Sequence, residues 1–196
     1  MSTAPTLYTL GHSNHSLERF FELLKSQEIE VVVDTRSQPY SRYVPHFNPR
    51  ELEPALKGQG VAYRFSGKEL GGRPEEPEFY DDGGHVLYDK VARSPRFREG
   101  LSQLAELCKS HRVAVICSEE HPSHCHRRLL IGRVLVNTGW DIRHIRADGV
   151  LQTEQELSDT ENPSGQQSLF IEEEVQLWRS TQSVLPKNPP KSFSRD

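Results

Sequence analysis

Apolar positions along this chain fall into two alternating patterns. Short runs, TLYTLGHS, IEVVVDTRS, VAYRF, RVAVICS and WDIRHIRA, begin with continuous apolar residues and end in polar ones, as strands buried on both faces do. The segments between them, SLERFFELLKSQ, NPRELEPALKGQG, HVLYDKVARSPRFREGLSQLAELCKSH and HCHRRLLIGRVLVNTG, place apolar residues at helical spacing. Ser16 is positioned to cap the first helix, without a reciprocal capping box because Arg19 occupies the third helical position. Pro95 interrupts the long third segment, and glycines close the second and fourth. Strand and helix alternate throughout, which predicts an α/β fold. Its mainly parallel sheet carries helices on both faces and is either open or a partial barrel.

The pattern changes near Thr153. From there the chain is acidic, then rich in Pro, Ser and Lys, so residues 1–152 are expected to form one α/β domain. Residues 153–196 are expected to form a largely disordered tail with a short docking helix at SLFIEEEVQLW. A length of 196 residues suits one domain, and 34% hydrophobic content agrees with part of the chain staying unpacked.

A net charge of −4 supplies no global attraction to nucleic acid, so polyanion binding has to come from a local basic face such as Arg36, Arg42, Arg127 and Arg128. No run approaches the ~20 apolar residues of a membrane span, and MSTAPTLYTLGHS has no basic region followed by an apolar one. The expected location is therefore the cytoplasm, where three cysteines remain thiols or metal ligands. Cys108 falls in the apolar phase of its helix and reads as a core thiol.

In α/β folds ligands gather at the carboxyl ends of strands, which here carry GHSNH, DTRSQPYSR, SGKELGG and CSEEHPSHCHR. His12, Ser13, Asp34, Arg36, Arg42, Glu119 and His126 are expected to share one cleft, with Ser41 beside Arg42 on its wall. Arg36, Arg42 and Arg127 are assigned to an anion, with Ser13 and Ser41 in the same substrate-binding set. Glu119 is assigned to protons or water, and His12 and His126 to a leaving oxygen or to holding the substrate. Asp34 and Cys125 complete the catalytic set.

The segment CSEEHPSHCHRR, residues 117–128, leaves three chemistries open. One is an anion site, in which a helix beginning at Ser123 or His124 places Cys125, His126 and Arg127 in its first turn. The second is a zinc or iron site held by Cys117, Cys125 and His126. Seven residues separate the cysteines, which is not a usual zinc-knuckle spacing. The third is thiol chemistry, with Cys125 as nucleophile or the two cysteines as a redox pair. A phosphatase-type loop is disfavoured because Ser123 and Ile131 stand where its arginine belongs. No cofactor is favoured, and a divalent metal is the alternative.

Together, LGHSNHS, DTRSQPYSRYVPHFN, KELGGRP and CSEEHPSHCHRRLL resemble the bacterial family catalogued as domain of unknown function 488, across about Leu7 to Ile145. The resemblance implies a small cytoplasmic α/β protein and assigns no reaction. Its characteristic positions fall on His12, Ser13, Asp34, Arg36, Pro39, Ser41, Arg42, Gly71, Gly72, Cys117, Glu119, Cys125, His126 and Arg127.

In the tail, QQSLF is similar to the peptide by which bacterial replication and repair proteins dock on the DNA sliding clamp, with Gln166, Leu169 and Phe170 as its anchors. The competing reading is an apolar anchor that packs back on the domain through Leu169, Phe170, Val175 and Trp178. The expected protein is a hydrolase or lyase acting on a phosphate or glycosidic bond of a nucleotide or nucleic acid, recruited in DNA repair. A metal- or thiol-dependent redox enzyme and a nonenzymatic binding module are the alternatives.

Overall fold

A computed structural model describes residues 4–161 and 178–184. In chain order the elements are β1 (Thr6–Gly11), α1 (Leu17–Ser26), β2 (Val31–Asp34), α2 (Pro49–Gly58), β3 (Ala62–Phe65) and α3 (Gly67–Leu70). They continue with α4 (Tyr88–Arg93), α5 (Pro95–Cys108), β4 (Val113–Cys117), α6 (Arg133–Val136), β5 (Asp141–Ile145), β6 (Leu151–Thr153) and α7 (Glu154–Glu161). All five strands expected from the apolar runs are present. Ser16 caps α1 by accepting from the Arg19 N–H at 3.3 Å.

The sheet is open, in the order β3-β2-β4-β1-β5-β6, and β6 alone runs antiparallel. The central strands β2 and β4 are buried along their whole length, on both faces. Val31, Val33, Val113 and Val115 join α4, α5 and α6 in one core cluster. Val32, Ala114 and Ile116 join α1 and α2 in the other. Period-two alternation thus loads two cores from the same strands.

The connections explain where a ligand site forms. From β1 to β2 and on to β3 the chain moves toward one edge, with α1 and α2 on one face. From β3 to β4 and on to β5 it moves toward the other edge, with α5 and α6 on the opposite face. The chain therefore leaves the neighbours β2 and β4 in opposite directions, and a crevice opens beyond their carboxyl ends. Register keeps those ends level, with Asp34 beside Ile116 and Gly11 beside Cys117.

The domain does not stop at residue 152. Leu151–Thr153 pair with β5, and α7 packs on the sheet edge through an ionic network. The buried Arg128 guanidinium donates to Glu154 at 2.8 and 3.1 Å and to Glu161 at 2.8 Å. His144 bonds Glu154 at 3.0 Å and the Thr9 hydroxyl at 2.8 Å. Farther on, Trp178 Nε1–H donates to the Leu129 carbonyl at 2.6 Å, and Ser180 exchanges bonds with Val86. Composition averages over these acids, whereas two of them neutralise a guanidinium that burial would otherwise strand. Gln166, Leu169 and Phe170 lie outside the described residues. Among the described residues no helix is long and apolar enough to cross a membrane.

Candidate functional site

A cleft of about 320 Å³ occupies the crevice. The loop after β2 contributes Arg36, Ser37, Gln38 and Tyr40, and the loop after β4 contributes Cys117, Ser118 and Glu119. His124, Cys125, His126, Gly72, Arg73 and Tyr88 line the rest, together with Ser180, Thr181, Gln182 and Val184.

Cys117 is the last residue of β4. The loop beyond it crosses the end of β1, where a Cβ on Gly11 would meet the Glu119 carbonyl oxygen at 2.0 Å, so only glycine permits the crossing. Pro122–His124 then form a 3-10 turn, with the His121 imidazole accepting from the Ser123 N–H at 3.3 Å. Cys125 is extended (φ −116°, ψ 139°), and its carbonyl accepts from Arg128 and Leu129. Cys125 therefore caps the helix from outside it. This corrects the expectation of a helix beginning at Ser123 or His124: the first helical residue is His126, followed by a π-helical stretch over Arg127–Gly132 that leads into α6. The short turn and the extended Cys125 fold the chain back so that two distant positions of the loop meet.

They meet around one imidazole. His126 Nδ1 lies 3.7 Å from Cys117 Sγ and 3.8 Å from Cys125 Sγ. Its Nε2 sits 3.1 Å from the Thr35 carbonyl, which can only accept, so Nε2 carries the proton and Nδ1 faces the sulfurs. All three side chains are buried, at 6%, 2% and 8% exposure, at the floor of the cleft. The thiols are driven apart in acidity. The hydrogen bond from Cys125, with His126 and Arg127 nearby, holds Cys117 well below the usual thiol range against the effect of burial. Burial, followed by the Cys117 sulfur, pushes Cys125 well above it. The Tyr88 phenol is likewise raised, by burial and then by Cys125 and Cys117, and stays protonated beside them. Cys108, half-buried at the edge of the core, is pushed up to about 12 by burial alone.

Behind this floor lies a second polar group. The Arg36 guanidinium donates to Asp34 through Nε at 2.9 Å and Nη2 at 2.6 Å, to the Phe47 carbonyl at 2.7 Å and to His12 Nε2 at 3.0 Å. The Tyr63 hydroxyl donates to Asp34 at 2.8 Å. His12 stacks on Phe47 at 4.3 Å and donates from Nδ1 to the Ser13 carbonyl at 2.9 Å.

The cleft thus brings together Arg36, Glu119, Cys117, Cys125 and His126 from the expected set, but the roles divide differently. Arg36 has its donors committed to Asp34, Phe47 and His12, so the first two assigned anion ligands differ in kind: Arg36 braces the loop, and Arg42 is exposed with its guanidinium 4.8 Å over the Tyr43 ring. Arg127 is almost fully buried and donates to the Glu119 and Glu120 carbonyls, which fixes the loop rather than reaching the cleft. The Ser41 hydroxyl accepts from the Tyr43 and Val44 N–H groups, closing its own turn, and Ser13 forms the left-handed corner after β1 at φ 45°. His12 and Asp34 sit behind Arg36 and outside the cleft lining. Arg128 belongs to the α7 network, so no face of Arg36, Arg42, Arg127 and Arg128 exists.

Sequence reasoning missed Tyr88, Arg73, Tyr40 and Ser180–Val184. Tyr40 and Arg73 lie within the segments DTRSQPYSR and KELGGRP, which is the signal that could have found them. Tyr88 and the 180–184 segment reach the site only through long-range packing and carry no local signal. Thr35 acts through its carbonyl, which any residue supplies.

A family model described as domain of unknown function DUF488 matches residues 16–134, more than half of the chain. No curated protein and no solved structure matches it.

Proposed function

The chain belongs to the DUF488 family, and from that premise we propose an enzyme that processes nucleic acid or a nucleotide in the cleft beyond β2 and β4. One observation carries the reading. Tyr40 and Tyr43, 67% and 78% exposed, stand on the loop that leads from β2 along the cleft, with Arg42 over the Tyr43 ring and Tyr40 on the cleft wall. Water-exposed rings beside guanidinium groups suit unpaired bases and their phosphates. Among the described residues neither Arg42 nor Arg73 has a carboxylate partner, so both stay available to a phosphate. Two arginines are a local feature of a chain whose net charge is −4.

Base stacking on such rings is worth about 1–3 kcal/mol each. Tyr40→Ala and Tyr43→Ala are each expected to weaken binding of a short single-stranded oligonucleotide by about 5- to 150-fold, read by fluorescence anisotropy. Unchanged affinity in both variants removes the reading. In a turnover screen of nucleotides and damaged DNA, Glu119→Gln is the inactive comparison. Binding without turnover in the parent would favour a binding module.

Recruitment to DNA through Gln166, Leu169 and Phe170 is part of the same proposal. Its support is the QQSLF pattern. Deleting residues 166–170 is expected to abolish binding to the bacterial sliding clamp in a pull-down while leaving oligonucleotide affinity unchanged. Clamp binding that survives the deletion would sink recruitment through this peptide.

A further inference from the structure

The cluster at the cleft floor has the shape of a metal site. Bonds of about 2.3 Å from zinc to sulfur and about 2.0–2.1 Å to nitrogen, at tetrahedral angles, put sulfur and nitrogen about 3.6 Å apart. His126 Nδ1 stands 3.7 and 3.8 Å from the two sulfurs, and all three donor atoms lie within 4.8 Å of one another. A hydrogen-bonded thiol–imidazole pair also allows such separations, but here two sulfurs converge on one nitrogen lone pair.

Three further features point to a ligand. The donor orientation is already set, because Nε2–H is held by the Thr35 carbonyl and Nδ1 is turned inward, which is how metal-binding imidazoles are anchored. The ring is held in place by close packing: the Gly72 backbone lies against it, and a Cβ there would come within 2.7 Å of His126 Cγ and Nδ1. And the three donor residues all line the cleft, so three protein ligands leave a fourth position facing whatever enters it.

We propose that Cys117, Cys125 and His126 bind one thiophilic divalent cation, zinc by preference, as an open catalytic site. The proposal deepens the functional reading above, on which it rests for its substrate. Two soft sulfurs and one imidazole select zinc over magnesium or calcium, which take oxygen ligands. Three protein ligands with an open position are the pattern of catalytic zinc, whereas structural zinc takes four. The cation supplies Lewis-acid activation of water, so the reaction is a hydrolysis: one water is consumed, its hydroxyl joins the electrophilic atom, and its proton reaches the leaving group. Glu119, the one carboxylate lining the cleft among the described residues, takes that proton and passes it on. No oxidant or reductant is required.

The test uses the full chain, purified without chelator from zinc-supplemented cells. About one zinc per chain is expected by elemental analysis, retained in Cys108→Ser and falling to less than about a tenth in Cys117→Ser, Cys125→Ser and His126→Ala. Gly72→Ala keeps every donor but displaces the ring, and is expected to weaken zinc about 10- to 100-fold. Because a donor variant can fail to fold, the parent protein is also stripped and titrated with Co²⁺. A thiolate-to-cobalt charge-transfer band saturating at one equivalent supports the site. A correctly folded parent that gives no such band, or zinc that persists in Cys117→Ser, overturns it. If oligonucleotide binding still depends on Tyr40 and Tyr43 in that case, the metal falls and the functional reading stands. Zinc bound by these residues in a chain indifferent to oligonucleotides leaves the metal site standing alone.

Discussion

Asp34→Ala is expected to lower the unfolding free energy by about 3–5 kcal/mol, read from urea denaturation. The reason is burial. Asp34 is fully buried and Arg36 only 6% exposed, and the carboxylate receives two guanidinium bonds, the Tyr63 hydroxyl and the Arg36 backbone N–H at 3.1 Å. Removing it strands a positive charge that cannot leave the interior without dismantling the loop between β2 and α2. Asp34→Asn keeps an acceptor and is expected to fall between the parent and Asp34→Ala. The control is Glu106, whose bridge to Lys109 joins side chains 72% and 70% exposed. There Glu106→Ala is expected to change stability by less than about 1 kcal/mol. A cost for Asp34→Ala as small as that would show that the pair does not organise the site.

The second large effect is a loss of stability in mild acid, centred on His12. Burial and then the Arg36 charge lower its pKa from 6.5 to about 4. The imidazole is therefore neutral in the folded protein, accepting from Arg36, until the pH nears 4, whereas in the unfolded chain it takes a proton below about 6.5. Between those values the unfolded state binds the extra proton, so stability is complete above about 6.5 and falls as the pH drops. The full difference corresponds to about 3 kcal/mol. His144, whose pKa burial also lowers, acts in the same direction, and the carboxylates of Glu154 and Glu161 add a loss at lower pH. To separate them, His12→Gln retains an acceptor for Arg36 but cannot titrate. Its unfolding free energy should change less than that of the parent between pH 7 and 4, by about 3 kcal/mol. Parallel curves would contradict the assignment.

The two experiments probe one device from opposite sides. Asp34, Arg36 and His12 hold the loop that carries Ser37, Gln38 and Tyr40 along the cleft, and the Thr35 carbonyl within the same segment anchors His126. A polar cluster that looks like catalytic machinery therefore acts as a brace, and Cys117, Cys125, His126 and Glu119 line the cleft in front of it.

The difference between brace and site was not legible in the chain. His12, Asp34, Arg36, Cys117, Cys125 and His126 were all visible as polar residues at strand ends, and the prediction that strand ends converge was sound because apolar runs identify strands. What an arginine does there depends on its nearest acceptor. Arg36 finds a carboxylate two residues away, Arg127 finds two carbonyls of the preceding loop, Arg128 finds carboxylates from α7, and Arg42 finds a tyrosine ring in water. Only the acceptors of Arg128 come from a distant segment; the other three arginines take near neighbours in the chain, and spacing does not record which of several nearby groups is taken.

By itself, the sequence determined the α/β class, the five main strands, their helices and the edge of the sheet where polar residues collect. These follow from local periodicity, since an apolar face must be buried whichever partner covers it. Only the tertiary structure decided the strand order, and with it the crevice between β2 and β4. It alone attached 153–161 and 178–184 to the domain, because pairing Glu154 and Glu161 with Arg128, and Trp178 with Leu129, needs contacts far apart in the chain. The same holds for the cluster at the cleft floor. Density of cysteine and histidine marked residues 117–128, but convergence of Cys117, Cys125 and His126 required a glycine at 11 for the loop to cross, a 3-10 turn to reverse it and a carbonyl from β2's end to aim the ring.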